Sequence, residues 1–412
     1  MRATSVVRVL LAIQSTRVLD LEFEEDGLVV DVAPTHRIPR CCDCGRKVHG
    51  CHDQRERRWR HLDLGGIKVQ LRYVIRRVRC PSCGVRVEAV PWAEAGSRFT
   101  FAAERYIAYL AQRTDRTTVT NLMRVAWRTV GDIIRRVVGR QRERDGDRLD
   151  GLRHIGIDEL SYRRHHQYIT VVVDHDRAEV VWAAEGKNAE TLGRFFEALG
   201  PERCAQLEAV TIDMSGAYIK AVTKASPQAK LIFDRFHVQR LAHDALDEVR
   251  REEVREASSE DKTALKKTRW ALHKNPWNLH DFERDKVTMV QRTNRRLYRA
   301  YLLKETLLAV LDRRQVNVAS AKLDEWLAWA CRSKLAPFVK LARTIRKYRD
   351  GILAYVQTGL NNGRVEGLNG KARTITRRAY GFHSATSLIA MLFLCCGGIH
   401  LPPIHMCPFE VH

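Results

Sequence analysis

No stretch of this sequence is apolar for long enough to cross a bilayer. The most apolar run, Leu388 to Cys396, falls far short of the ~20 residues a membrane helix needs, so it reads as a core helix. A single apolar block with a cleavage site is also missing at the start, where Met1 to Ser5 leads into alternating, strand-like sequence. No signal peptide is visible, and the expectation is a cytoplasmic protein with no membrane contact. There is no internal repeat and no low-complexity tract, which sets aside solenoids and fibrous architectures. Acidic residues are scarce: 49 Asp and Glu stand against 71 Lys and Arg, a net charge of +22.

That excess is uneven. Residues 40–140 hold 22 basic and 9 acidic side chains, so about a quarter of the chain carries more than half of the surplus. A localised basic excess on a folded domain is the electrostatic footprint of a polyanion, and nucleic acid is the partner it implies. A merely solubilising surface would intersperse both signs. A chain of 412 residues divides into two to four domains.

Short strands are expected over 6–13, 17–24 and 27–32, followed by a cysteine-bearing region over 40–90 and a helical pattern over 101–144. Residues 146–151 read as a linker. Strand and helix signals then alternate over 152–242. The next hundred residues are charged and helical, with Trp270, Trp277, Trp326 and Trp329, and a last helical block leads to a tail containing Pro and Cys.

Eleven cysteines in a cytosolic chain argue for metal or buried thiols over disulfides. Cys41-Cys-Asp-Cys44-Gly and Cys80-Pro-Ser-Cys83-Gly are two knuckles of the same form. In each, two thiolates can bite one tetrahedral Zn²⁺ while the glycine permits the turn, and the intervening segment has room for the strands of a zinc ribbon. Cys42 competes with Cys41, and Cys51, His49 or His52 are alternative ligands. Packed, reduced thiols without metal are the other reading.

Over residues 101–140 three amphipathic segments follow one another, at 103–110, 118–125 and 127–138. In the third, Val130, Ile133, Ile134 and Val137 repeat at helix spacing. Arg128, Arg135 and Arg136 fall off that stripe, which is how the recognition helix of a helix-turn-helix is built.

Three acids occupy positions of chemical interest. Asp158 and Asp213 each close a short β-branched run, so each reads as a carboxylate at a strand tip, and Glu366 sits where a helix starts. The order expected over 152–242 is a meander of three strands (153–158, 167–174, 179–184), then helix 189–199, strand 209–213, helix 216–224, strand 230–234 and a helix. That order matches a ribonuclease-H-like sheet, in which the fourth strand lies beside the first and Asp158 meets Asp213. Two aspartates and a glutamate make a hard-oxygen cage for two Mg²⁺ ions about 3.5–4 Å apart acting on phosphodiesters, with Asp158 bridging both. Asp234 also ends a strand and competes with Asp213. Glu159 points to the opposite face from Asp158, and Asp174 and Asp176 read as hairpin-turn acids.

Taken together, the knuckles, the stretch Arg58-Trp-Arg-His-Leu-Asp63, the helix-turn-helix and the three acids resemble the bacterial insertion-sequence transposases of the ISL-three family. The resemblance covers residues 6–394. Its most specific parts are Gly156-Ile-Asp-Glu159, Thr211-Ile-Asp-Met-Ser215, Asp234-Arg-Phe-His237 and Val365-Glu-Gly-Leu-Asn369. It implies a DDE transposase whose triad is Asp158, Asp213 and Glu366. Asp234, His237 and Asn369 are then supporting residues. The 153-residue separation of Asp213 from Glu366 reads as an all-α insertion, since a loop of that length is implausible. Arg364, Lys371, Arg373, Arg377 and Arg378 flank the glutamate and suit phosphates. The insertion's tryptophans suit either a helical core or a flipped base. One departure is Cys41-Cys42, where a Cys-Pro knuckle is common in the family.

The expected organisation is a β region with a four-cysteine zinc module (1–95), a helix-turn-helix (96–145), a ribonuclease-H-like core in two parts (151–242 and 358–396), a helical insertion (243–357) and a tail (397–412). The implied activity is binding of terminal inverted repeats in double-stranded DNA, then Mg²⁺-dependent cleavage and strand transfer into target DNA, by at least a homodimer on the DNA. A DNA-bound protein of this kind is nucleoid-associated. Two rivals are a non-catalytic DNA-binding regulator on the same scaffold and a nuclease or resolvase that cuts without strand transfer.

Overall fold

The structure, a computed structural model, describes residues 3–163, 167–360, 363–379, 382 and 384–403, and for 163, 260, 364–366 and 369 the backbone alone. Two units divide the chain: Met1–Gly146 with Arg377–Tyr380 and Ala390–His412, and Asp147–Thr376 with Gly381–Ile389. Among the described residues no helix is long and apolar enough to cross a membrane.

The first unit begins with helix α1 (Ala3–Leu11), where alternation predicts a strand over 6–13. Val7 and Leu11, four residues apart, pack on the unit's core, while Val9 and Leu10 stay exposed. One stripe at helical spacing is buried, and the apparent alternation is not. Strands β1 (Thr16–Glu24), β2 (Gly27–Pro34), β3 (Cys51–Arg60), β4 (Val69–Cys80) and β5 (Gly84–Val87) form one sheet in the order β1-β2-β4-β3, with β5 on β4. Trp59, Trp92 and Tyr73 meet edge-to-face within it. His61 is buried, with Nδ1 2.8 Å from the Thr100 hydroxyl. Burial pushes its imidazole down to about 4. Arg58 pairs with Glu24 and Arg60 with Asp63. The stretch from Arg58 to Asp63 is therefore architectural.

Helices α2 (Phe101–Arg113), α3 (Arg116–Met123) and α4 (Trp127–Asp145) follow, each starting within two residues of its expected segment, with α4 running seven residues beyond it. The α2 and α3 starts are capped by Thr100 and Asp115, whose side chains accept amides of their first turns. One buried charge ties α2 to α4. Glu104 is fully buried and accepts from the Ser97 hydroxyl and Arg136 Nε, both at 2.7 Å, and it pairs with Arg140 at 2.7 Å.

The second unit holds β6 (His154–Arg163), β7 (Gln167–Asp174), β8 (Glu179–Glu185), α5 (Ala189–Leu199), α6 (Pro201–Cys204), β9 (Ala209–Ile212), α7 (Gly216–Ala225), β10 (Lys230–Phe233) and α8 (Arg235–Glu256). Its sheet runs β10-β9-β6-β7-β8, with β10, β9 and β6 parallel and the β6-β7-β8 meander antiparallel. The fourth strand lies beside the first, as the order of elements leads one to expect. The largest difference in boundaries is at β6, which runs on to Arg163, so Asp158 lies within the strand rather than at its tip, while β9 and β10 each end one residue before Asp213 and Asp234. The added residues are held by β7, which pairs with β6 as far as Arg163.

Beyond α8 come α9 (Ser259–Lys266), α10 (Arg269–His273), α11 (Asp281–Thr293), α12 (Arg295–Leu311), α13 (Val316–Arg332), α14 (Ala336–Lys347) and α15 (Arg349–Thr358). Trp326 is buried and donates its indole N–H to the Leu303 carbonyl, and Trp329 packs against the same core. Trp270 and Trp277 are 68% and 70% exposed. Helix α15 returns to β10: a Cβ on Gly351 would lie 2.3 Å from the Phe233 ring, so only glycine permits this approach. Helices α16 (Gly363–Arg378) and α17 (Ala385–Cys396) close the described chain.

Breaking the buried charge tie has a calculable consequence. Glu104→Ala leaves Arg136 and Arg140 without their shared carboxylate, at a cost of about 3 kcal/mol. Hydrogen exchange of α2 and α4 amides should report that loss of protection. Protection within ~1 kcal/mol of the parent chain would show that the tie is dispensable.

Candidate functional site

Four cysteines converge in the first unit. The Sγ atoms of Cys41, Cys44, Cys80 and Cys83 all lie within 4.8 Å of one another. Each knuckle turns on a glycine in the left-handed region, Gly45 at φ 70° and Gly84 at φ 73°. Cys41 and Cys80 are buried, whereas Cys44 is exposed. An amide hydrogen bond from Ser82 helps to pull the Cys80 thiol down to about 7, while hydrogen bonding to Cys44 pushes the Cys83 thiol up, so the crowded sulfurs share their protons unequally. The alternatives are turned elsewhere. Cys42 points to the Asp43 carboxylate at 3.1 Å, and burial pushes its thiol up to about 11. Cys51 is exposed and contacts the Asp53 carbonyl, and His52 accepts from Arg79. Four sulfurs with no oxygen donor among them suit tetrahedral Zn²⁺.

Helices α3 and α4 meet through an arrangement that sequence pattern does not reveal. The Arg116 guanidinium lies 3.5 Å over the Trp127 ring, and a Cβ on Gly131 would come within 2.1 Å of it. Burial lowers the Arg116 pKa to about 10. Gly131, mid-helix, thus makes room for an arginine wedged between the two helices. Arg124, in the turn, takes a left-handed conformation and bonds Asp63 and the Gly66 carbonyl. Arg128 and Arg135 are exposed on α4, and Arg135 pairs with Asp132. Arg136 is instead half-buried and held by Glu104, because its position turns toward α2.

In the second unit the acids follow from register. Gly156 pairs with Thr211, and Thr211 with Ile232, across β6, β9 and β10. Two residues further along the chain from each stand Asp158, within β6, and Asp213 and Asp234, one residue past β9 and β10. Ile155, Ile157, Val210 and Ile212 belong to the core on the other face, so strand alternation directs Asp158 away from it. Asp213 lies just past β9, where its Oδ1 accepts the Ser215 amide at 3.0 Å. Asp234 is 5% exposed, begins α8 and donates its amide to the Ile212 carbonyl at 3.3 Å. One turn into α8, His237 has a buried Nδ1 with no partner among the described residues. In the preceding row, the Thr211 hydroxyl lies 2.7 Å from Nε2 of the buried His175. Asp174 and Asp176 flank the β7–β8 turn, where Asp174 accepts the amides of Asp176 and Arg177.

Glu159, beside Asp158 on β6, is half-buried, and burial raises its carboxyl pKa. Glu366 lies in the first turn of α16, and its side chain, like those of Arg364 and Asn369, lies outside the described residues. Lys371, Arg373, Arg377 and Arg378 are exposed on the same helix, and Arg378 bonds the Arg113 carbonyl.

Three family models match the chain. One described as a transposase matches residues 155–392. One described as the helix-turn-helix domain of transposase family ISL3 matches 88–138. The third, described as the zinc-finger of transposase IS204/IS1001/IS1096/IS1165, matches 37–83. The transposase for insertion sequence element IS1557 of Mycobacterium tuberculosis is 40% identical, with 98% of each chain covered. That for element IS1001 of Bordetella parapertussis is 30% identical, over 88% of this chain and 90% of the relative. A zinc ribbon and a helix-turn-helix thus occupy the N-terminal part.

Metal analysis of the purified chain should find about one zinc per chain. Cys41→Ser, Cys44→Ser, Cys80→Ser and Cys83→Ser should each lose most of it, while Cys42→Ser and Cys51→Ser should retain it. Equal loss from the last two would rule out the four-cysteine assignment.

Proposed function

This chain belongs to the ISL3 family of insertion-sequence transposases, and on that footing we propose that Asp158, Asp213 and Glu366 are its catalytic carboxylates. The observation that carries the reading is the parallel β6–β9 ladder, whose last pair, Gly156 with Thr211, stands two residues before Asp158 on β6 and two before Asp213 just past β9. Their half-buried, hard-oxygen donors fit Mg²⁺. The three acids would hold two Mg²⁺ ions, which would supply charge stabilisation for in-line displacement at a phosphodiester. The chain's own part is orientation. The Ser215 amide fixes the Asp213 carboxylate, and β7 holds Asp158 in extended backbone through its pairing at Val171. Asp234 and His237 brace the row from α8, and Asn369 supports Glu366 from α16.

The sheet order and the helices that leave β10 and return through α15 support a ribonuclease-H-like core over 151–242 and 358–396 with an insertion over 243–357. Leu360, six residues before Glu366, packs with Ala209, Ile232 and Ala354. Ala209 shares the strand face of Thr211, so this contact leads the chain toward the face from which Asp158 projects. The zinc ribbon (within 1–95) and the helix-turn-helix (96–145) would bind terminal inverted repeats, with Arg128 and Arg135 of α4 meeting DNA. Arg364, Lys371, Arg373, Arg377 and Arg378 would hold phosphates near the cut. Pairing of two ends implies a dimer on DNA, working in the cytoplasm on nucleoid-associated DNA.

A supercoiled plasmid carrying the element's ends tests the assignment. Asp158→Asn, Asp213→Asn and Glu366→Gln should each cut Mg²⁺-dependent cleavage and strand transfer by about 10³-fold or more, several kcal/mol of barrier, while end binding persists. Full activity in any of them would remove that residue from the site. Cleavage without strand transfer, or without dependence on end sequence, would favour a nuclease, and binding without Mg²⁺-dependent cleavage a regulator.

Arg135→Ala should weaken binding to end DNA severalfold and reduce its salt dependence by about one phosphate contact. Titrations at several salt concentrations measure both quantities. An unchanged slope would exclude Arg135 from the phosphate contacts.

A further inference from the structure

A buried hydroxyl joins three elements beside the aspartate row. Tyr218 stands in the first turn of α7 and is 1% exposed. Its OH donates to the Thr170 hydroxyl on β7, 2.9 Å away. Thr170 donates in turn to the Gly186 carbonyl beyond β8, at 2.8 Å. Glu159 and Thr170 are directly opposed across the β6–β7 ladder. The tyrosine therefore docks the start of α7 onto β7 at the residue before the one that pairs with Asp158.

We infer that Tyr218 is a positioning residue that sets the separation of Asp158 from Asp213. This rests on the reading of those two acids as metal holders. The parallel ladder between β6 and β9 ends at Gly156–Thr211, one row short of the acids. Beyond it, Asp213 is placed through the turn to Ser215 and through the helix that begins at Gly216. Tyr218 fixes that helix to Thr170, the neighbour of Val171, which pairs with Asp158 across β6 and β7. Its ring packs in the core with Val222, Phe195 and Leu192, but packing alone does not specify a carboxylate spacing, whereas a directional hydrogen bond does. Groups that orient metal-holding side chains typically change metal affinity by about 10–100-fold when removed.

The test uses the full-length protein. Tyr218→Phe keeps the ring and deletes the hydroxyl. The Mg²⁺ concentration for half-maximal cleavage of end-bearing plasmid should rise about tenfold, with the rate at saturating Mg²⁺ within about twofold of the parent. Calorimetric titration of DNA-free protein with Mn²⁺ should show a matching loss of affinity. Thr170→Val, which removes the middle hydroxyl, should shift both quantities in the same direction by less. A purely structural role would lower the melting temperature and the rate at every Mg²⁺ concentration without moving half-saturation. Half-saturation and Mn²⁺ affinity both unchanged in folded Tyr218→Phe would overturn the inference. If that variant does not fold, as judged by circular dichroism, Thr170→Val decides by the same two readings. Mn²⁺ binding untouched by Asp158→Asn and Asp213→Asn would instead overturn the reading on which the inference rests.

Discussion

The parallel ladder that β9 makes with β6 on one side and β10 on the other determines what the second unit can do. Three strands of different length share one register, so a row of side chains on one is a row on all three. Gly156, Thr211 and Ile232 make the last row that is hydrogen-bonded throughout. Two residues beyond it stand Asp158, still within β6, and Asp213 and Asp234, each just past its strand. Because strand side chains alternate, a slip of one residue in β9 would turn Thr211 into the hydrophobic core, bring Ile212 out and shift Asp213 with them. The apolar residues on the buried face, Ile155, Ile157, Val210 and Ile212, therefore hold the carboxylates in line.

The same register explains why three aspartates so far apart in sequence differ in exposure. Asp158 remains within a strand because β7 holds β6 beyond the end of β9. Asp213 falls in a turn, and Asp234 starts a long helix, where it is nearly enclosed. An enclosed carboxylate at a helix start is well placed to brace, and a half-exposed one in a turn to meet a ligand. That ordering gives physical content to ranking Asp213 above Asp234, which strand-end position alone leaves open.

Much of the second unit was legible because its elements carry strong, short-range patterns. The runs in β7 and β8 alternate or are wholly apolar, and α5 buries a clear stripe with an Asn188 cap. Where the pattern is weak, sequence misleads. In α1 the apolar residues are too dense to distinguish helix from strand, and β3 buries little of itself, so its strand character comes from pairing with β4. The wedge of Arg116 between Trp127 and Gly131 and the contact of Tyr218 with Thr170 were not legible. Each joins residues that no periodicity relates, and each depends on a packing angle fixed only in three dimensions. The zinc knuckles were legible, since spacing and glycine placement are local, yet the exclusion of Cys42 and Cys51 needed the direction of their sulfurs.

Charge shows the limit of composition most clearly. The surplus over residues 40–140 reads as a surface for DNA, but several of those arginines are engaged inside the unit. Arg58 and Arg72 answer Glu24, Glu22 and Asp31, Arg76 answers the buried Glu88, and Arg136 and Arg140 answer the buried Glu104. A pair built on a buried carboxylate cannot be surrendered to a phosphate without stranding a charge, at a cost of several kcal/mol. An exposed pair such as Arg135 with Asp132 is worth ~0–1 kcal/mol and can be exchanged readily. The arginines free to meet DNA are therefore those whose acidic neighbours are exposed or absent. On α4 this criterion separates Arg128 and Arg135 from Arg136, although all three lie off the same apolar stripe.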